Sequence, residues 1–216
     1  MKNYSISLEV GGPLAMFARP DTGAAPTSYP APTWSAAKGI LESIAYLSHG
    51  EAWLHPLRVE ICRRRGENGG AVHFQRYATN YGGPLRKEKN IKEGTGMQIF
   101  ATVLANVCYR IHAEIRGTRG SGGNNPRHHL QHLFERRLRQ GRCHRTPAFG
   151  WSEFTCDYWG PAREEWEVDD ALTLEIPSML SEVWDQPQRG TYVSRFAQGV
   201  MIERGVLRYQ LNDDEV

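Results

Sequence analysis

The sequence predicts an α+β fold, and three observations carry that expectation. Apolar residues alternate with period two at Tyr4–Val10, Leu57–Ile61 and Val107–Ile115, as in half-buried strands. Apolar residues recur at helical spacing at Ala37–Leu47 and Leu130–Leu138. The two patterns alternate along the chain, with no internal repeat and no coiled-coil heptad.

Taken in order, Tyr4, Ile6, Leu8 and Val10 form the first strand, which Gly11-Gly12-Pro13 is expected to end. Two glycines are too sparse for a dinucleotide-binding fingerprint. Arg19–Pro32 is rich in Pro, Gly, Ala and Thr and reads as a loop. Thr33 suits an N-cap, and Ala37, Ile40, Leu41, Ile44 and Leu47 carry a helix through about Ser48. Leu57, Val59 and Ile61 give the next strand. Cys62–Met97 is glycine-rich, with little amphipathic period, and reads as a basic insertion. Val103–Ile115 is a strand, and Arg116–Asn125 a Gly/Ser/Asn loop. The second helix buries Leu130, Leu133, Phe134 and Leu138, with Pro126 in its first turn and Gly141 at its stop. Phe149, Trp151 or Phe154, Cys156 and Tyr158 suggest another strand. Asp170–Val216 reads as an antiparallel appendage whose last hairpin turns at Glu203-Arg204-Gly205.

The resulting order, β-α-β-β-α-β with a basic insertion, is that of a ferredoxin-like fold, which is also the RNA-recognition fold. The expected division is a ferredoxin-like RNA-binding domain over 1–160 and a small β appendage over 161–216.

Length and composition suit that size of fold. The chain has 216 residues, 40% hydrophobic and 23% charged, as ordinary globular proteins do. Net charge is only +2, so the whole molecule is no polycation. The charge is unevenly spread: between Arg116 and Arg145 the only acid is Glu135, while the C-terminal part is acidic. A basic face on a near-neutral protein suggests a polyanion held at one surface. Cys62, Cys108, Cys143 and Cys156 form no CxxC pair. No apolar signal region precedes them and no apolar run is long enough to cross a bilayer. The expectation is reduced thiols in the cytoplasm, with no membrane partner.

Two basic stretches carry the candidate chemistry. The insertion holds Arg63, Arg64, Arg65, Arg76, Arg86, Lys87, Lys89 and Lys92 among His73, Phe74, Tyr77 and Tyr81. Cations for phosphates and flat rings for unstacked bases are what a single-stranded RNA surface needs. The second helix sets Arg127, Arg136, Arg137 and Arg139 beside His128, His129 and His132. Guanidinium and imidazole together hold a phosphodiester and move protons near neutral pH. The plainer alternatives are a solvated loop and a solvated helix face. His128 and His132, at i and i+4, raise a metal site, but no CxxC partner accompanies them and Glu is absent beside the first His. No metal or other cofactor is expected.

Several segments together resemble the CRISPR-associated RAMP superfamily, and within it the Cas five family of the type I-C (Dvulg) subtype. They are Pro13-Leu14-Ala15-Met16-Phe17-Ala18-Arg19-Pro20 and Ser28–Ile44. Cys108-Tyr109-Arg110-Ile111-His112-Ala113, Phe134-Glu135-Arg136-Arg137, Gln140-Gly141-Arg142-Cys143 and Gly150-Trp151-Ser152-Glu153-Phe154 follow in the family's order. The resemblance implies a subunit that grips the 5′ handle of CRISPR RNA in a type I, Cascade-like effector complex. Its neighbours there would be Cas seven backbone and Cas eight large subunits, with target DNA contacted indirectly. It adds Arg19 and Lys38 to the expected RNA contacts. In the type I-C branch it also implies a metal-independent endoribonuclease, with a Tyr just after the first helix and a Lys-His pair opening the second. This sequence departs from that pattern: Ala45 precedes Tyr46, and the pair falls on His128-His129 or on Arg127-His128.

Metal-free cleavage needs a base for the ribose 2′-OH, a cation for the phosphorane and an acid for the leaving 5′-oxygen. His128 and His129 suit base and acid, Arg127 the non-bridging oxygens, and Tyr46 a hydrogen bond or proton relay. The alternative is a non-catalytic subunit that caps the 5′ handle. More remote is an RNA-recognition module outside CRISPR.

Overall fold

Pairing of β1 (Ser5–Ala15) with β4 (Met97–Gly117) forms the centre of an antiparallel sheet, from Ser5 opposite Glu114 to Ala15 opposite Leu104. β2 (Ala52–Arg64) lines the other edge of β4, and the short β5 (Tyr158–Gly160) the other edge of β1. β6 (Trp166–Val168) adds to the end of β2. β7 (Leu174–Glu182), β8 (Arg195–Glu203) and β9 (Val206–Arg208) continue the sheet through β2–β9 pairing, giving the order β5-β1-β4-β2-β9-β8-β7. Among the described residues two helices, α1 (Trp34–Ile44) and α2 (Pro126–Arg139), cover one face. The structure, a computed structural model, describes residues 4–48, 51–81, 97–117, 125–182 and 194–209.

The alternation read from sequence sets the two faces. Leu8, Val10, Val59, Ile61, Tyr109 and Ile111 join the core with Ile40, Leu41 and Ile44 of α1 and Leu130 and Phe134 of α2. The opposite face carries Glu9, Glu60, Arg110 and His112. Glu9 is 1% exposed. Its carboxylate accepts from Arg110 Nε at 2.9 Å and from Arg163 Nε at 2.7 Å. Burial of that charge is offset by two guanidinium partners, and the pair fastens residues 163–166 over the sheet. The His112 imidazole, 2.9 Å from Glu60, holds that carboxyl below the usual range.

Several sequence expectations shift. β1 does not stop at Gly11-Gly12-Pro13 but runs to Ala15. Gly12 is needed there for a close approach, since a Cβ would stand 2.9 Å from the Phe149 ring. β2 begins at Ala52, and a bulge between Pro56 and Arg58 leaves Leu57 exposed. The insertion is not all loop: β3 (Phe74–Tyr81) pairs with the first half of β4, which starts six residues before the predicted Val103. The strand expected around Phe149–Tyr158 shrinks to β5. Phe149 and Phe154 instead close a turn, Phe149 N–H donating to Phe154 O at 2.8 Å.

α1 ends at Ile44, not near Ser48. Thr33 caps it as expected, accepting from Ala36 N–H at 3.2 Å. Its early end has a visible cause. The carbonyls of Ser43 and Ile44, which a further turn would use, accept instead from His144 N–H at 2.8 and 3.2 Å. Arg145 N–H also reaches Ser43 O, at 2.9 Å. The C-terminal turn lands where predicted, with Arg204 and Gly205 at φ 49° and 73°.

All four cysteines are free, and three are buried. Hydrogen bonding to Cys62, together with burial, pushes the Cys108 thiol far up. Burial pushes Cys156 up to about 12. Only the thiolate reacts with alkylating reagents. At pH 8, iodoacetamide is therefore expected to modify Cys143 at least ~100-fold faster than the other three, which react through opening of the fold. Peptide mapping after timed labelling checks this; equal labelling of Cys143 and Cys156 contradicts the packing.

Candidate nucleic-acid interface

A guanidinium already paired has little left for a phosphate. Away from α2, the fold neutralises many of the predicted RNA contacts. Arg19 meets Asp21 at 2.7 Å, Arg63 meets Glu167 at 2.8 Å and Arg64 meets Glu67 at 3.4 Å. Lys38 lies over the Trp34 ring, 5.1 Å from its centroid. Arg76 is exposed on β3 and has no ion pair among the described residues. Arg86, Lys87 and Lys89 lie outside the described residues. On α2 and the turn after it the balance differs. Arg136, Arg139, Arg142 and Arg145 are exposed and without an ion pair among the described residues.

Local sequence fixes α2 firmly. Asn125 caps it, accepting from Arg127 N–H at 3.1 Å and donating through Nδ2 to the Tyr4 hydroxyl at 2.9 Å. Pro126 supplies a first-turn residue that needs no donor. Leu130 and Phe134 are buried, while Leu133 and Leu138 pack at the margin. That narrow apolar stripe leaves the remaining faces to the polar residues. At Gln140 the helix stops, and Gly141 turns at φ 62°.

The first turn holds three of the predicted catalytic residues. Arg127 packs over the Tyr4 ring at 5.1 Å; its Nε is buried, with no hydrogen-bond partner among the described residues. His128 is half-buried, its ring 4.1 Å from that of His132. His129 is exposed and opens on a shallow depression of about 430 Å³ shared with His132, Leu133, Glu135, Arg136 and Arg139. The helix thus gathers His128, His129, His132 and two free guanidinium groups along one side. His132 was not among the predicted catalytic residues, although its i, i+4 relation to His128 is legible in the sequence.

Tyr46 is placed differently. Its ring partner is His144, 6.3 Å away and tilted 33°, and no ring contact or hydrogen bond joins it to Arg127, His128 or His129. The end of α1 is met by Arg137, whose Nη1 donates to Ile44 O at 2.7 Å. Arg137 lies nine residues beyond His128, roughly 14 Å along the axis. A second basin, about 500 Å³, is lined there by Arg136, Arg137, Gln140, Arg142 and Cys143. Sequence reasoning did not include Arg142 or His144 among the site residues. They come to the end of α1 through the fold-back of residues 142–145, for which local sequence carries no signal. Among the described residues no group of three or more His, Cys, Asp or Glu is arranged to hold a metal, and no helix is long and apolar enough to cross a membrane.

Comparison with known proteins adds independent findings. The profile of the family described as CRISPR-associated protein (Cas_Cas5) matches residues 5–215. A protein of Thermus thermophilus named CRISPR pre-crRNA endoribonuclease Cas5d is 31% identical over 178 residues, covering 82% of this chain and 72% of that one. A protein of the same name from Mannheimia succiniciproducens is 32% identical over 166 residues, 71% of each chain. Two solved structures share the fold. One is a crystal structure of a CRISPR-associated protein, with TM-score 0.67, 18% identity and coverage of 99% and 97%. The other is a functionally uncharacterized protein from Streptococcus mutans, with TM-score 0.65, 15% identity and coverage of 99% and 96%.

Proposed function

The chain belongs to the CRISPR-associated Cas5 family, and from that premise we propose that it binds the 5′ handle of CRISPR RNA and cleaves the precursor transcript within the repeat without a metal ion. It then stays with its product in a type I-C, Cascade-like complex, beside Cas seven and Cas eight subunits. The observation that carries this reading is the row of unneutralised arginines on α2, set beside three imidazoles. Unpaired guanidinium groups on an ordered helix suit the repeating phosphates of a strand. The strand order β5-β1-β4-β2, antiparallel throughout with α1 and α2 on one face, supports a ferredoxin-like core.

The reaction assigned to the first turn of α2 balances simply. One imidazole takes the 2′-OH proton as the 2′-oxygen attacks phosphorus. The P–O5′ bond breaks, and the second imidazole protonates the departing 5′-oxygen. Arg127 faces the developing phosphorane charge. The products are a 2′,3′-cyclic phosphate and a 5′-hydroxyl. One observation favours the second reading, a subunit that caps the handle without cutting: Tyr46 is turned to His144 and not to the first turn of α2.

Incubating the full chain with repeat RNA in EDTA separates the two readings. A product ending in a 2′,3′-cyclic phosphate supports the enzyme; intact RNA held tightly supports the cap. Binding itself has its own check. Arg136→Glu/Arg139→Glu is expected to weaken repeat-RNA binding at least tenfold. It is also expected to flatten the log–log salt slope by about 1.4, at ~0.7 for each phosphate contact on a single strand. An unchanged slope removes α2 from the interface.

A further inference from the structure

From the docking of residues 142–145 onto the end of α1 we infer a nucleotide subsite for single-stranded RNA, in which Arg136 and Arg142 hold a phosphate and the Tyr46–His144 pair takes the adjoining base. The inference rests on the RNA-binding reading above and names a place on the protein which that reading does not.

The subsite is built from main chain outwards. Gly141 turns the chain at φ 62°, and Arg142 N–H returns to Arg137 O at 2.9 Å. His144 and Arg145 then donate to the last carbonyls of α1. Arg137 closes the same helix end from the side, at 2.7 Å from Ile44 O. Four donors from four residues therefore fix a segment that a short Gly-Arg-Cys-His stretch would otherwise leave loose. The ordering cost of that segment falls on folding and not on ligand binding.

What this scaffold presents is chemically one-sided. The basin beside it is lined by Arg136, Arg137, Gln140, Arg142 and Cys143, with no carboxylate. Arg137 is committed to α1, but Arg136 and Arg142 have no ion pair among the described residues. A guanidinium fork matches two phosphate oxygens. His144 follows Cys143 of the lining, and it brings a second flat ring with it, that of Tyr46. Tyr46 is 49% exposed although it follows a buried helix end, and His144 is exposed beside it, with centroids 6.3 Å apart and planes 33° from parallel. Exposed, rigidly mounted rings next to unpaired arginines fit a phosphate and an unstacked base of one strand. A duplex keeps its bases stacked and has no use for the rings. An acidic protein segment would satisfy the arginines and leave the rings uncovered.

Binding of a repeat RNA with 2′-O-methyl riboses, which cannot be cut, tests the assignment on the full chain. Tyr46→Ala is expected to raise Kd about tenfold, within the range for loss of one base–aromatic stack, with the salt slope unchanged. Tyr46→Phe is expected to bind within twofold of the parent. Arg142→Glu should lower the salt slope by about 0.7 or more. Cys143 lines the basin, so saturating RNA is expected to slow its alkylation at least fivefold. The subsite is overturned if Tyr46→Ala and Arg142→Glu bind as the parent does and Cys143 alkylates equally fast with RNA bound. It is also overturned if Tyr46→Phe binds normally yet slows cleavage of unmodified RNA, since the phenol would then act on protons. Failure of the parent protein to bind the RNA at all is a different result: it removes the RNA reading itself.

Discussion

Replacing His128 and His129 together by alanine is expected to slow cleavage of repeat RNA by about 10²–10⁴-fold, the contribution of acid–base catalysis by positioned groups. Both rings project from a first turn fixed by the Asn125 cap and by Pro126. The scaffold therefore survives loss of either side chain. A double variant is the informative one, because His128 and His129 are adjacent in the first turn and either imidazole can take over the other's proton. Affinity for uncleavable RNA is expected to change less than threefold, since the arginines of α2 remain. Single-turnover rates in EDTA, measured beside Kd, make the test. A double variant that cuts at the parental rate moves catalysis away from the first turn of α2. One that loses binding as much as rate makes the histidines contacts and not proton carriers.

Gly150→Ala is expected to destabilise the fold by roughly 3–5 kcal/mol, the exceptional end of single substitutions. Gly150 sits at φ 83°, where an L side chain costs ~1–2 kcal/mol. The larger part comes from proximity. A Cβ there would stand 1.8 Å from the Met16 carbonyl oxygen and 2.8 Å from its carbon. Two stretches of main chain would have to separate, and with them the bond from Met16 N–H to Phe149 O at 2.9 Å. That junction underlies the edge-on contacts of Phe17, Tyr109 and Phe149. Gly141→Ala is the control. It has a similar φ of 62° but nothing within 4 Å of an added Cβ, so it should lose only the ~1–2 kcal/mol of backbone strain. Urea midpoints for the two variants decide the matter. Equal losses would mean that the close approach contributes nothing.

Sequence patterning located the central strands and both helices because their burial is one-sided. Leu8, Val10, Ile40, Leu41, Leu130 and Phe134 announce their faces by period alone. It failed where burial comes from partners remote in sequence. Gly11-Gly12-Pro13 looks like a stop, yet Phe149 packs on Gly12 and the strand continues. The β3–β4 hairpin is obscure because Phe74 and Phe100 are half or more exposed, so alternation carries no burial signal there. At the candidate site, the imidazoles and arginines of α2 were legible as one face of a helix. The pairing of Tyr46 with His144 was not, since it depends on residues 142–145 crossing to a helix that ended a hundred positions earlier.

The bond from Arg137 to Ile44 carries a warning for any alanine scan of α2. Arg136, Arg137 and Arg139 look interchangeable as a string of cations, but one of them is a bracket. Arg137→Ala would remove one of the bonds that hold the end of α1, and so loosen the seat of Tyr46 and of residues 142–145. The resulting defect would read as the strongest RNA contact on the helix. Arg137→Lys exposes the difference, because it keeps the charge while losing the planar, two-pronged reach. A lysine variant as impaired as the alanine would identify the residue as masonry rather than as part of the grip.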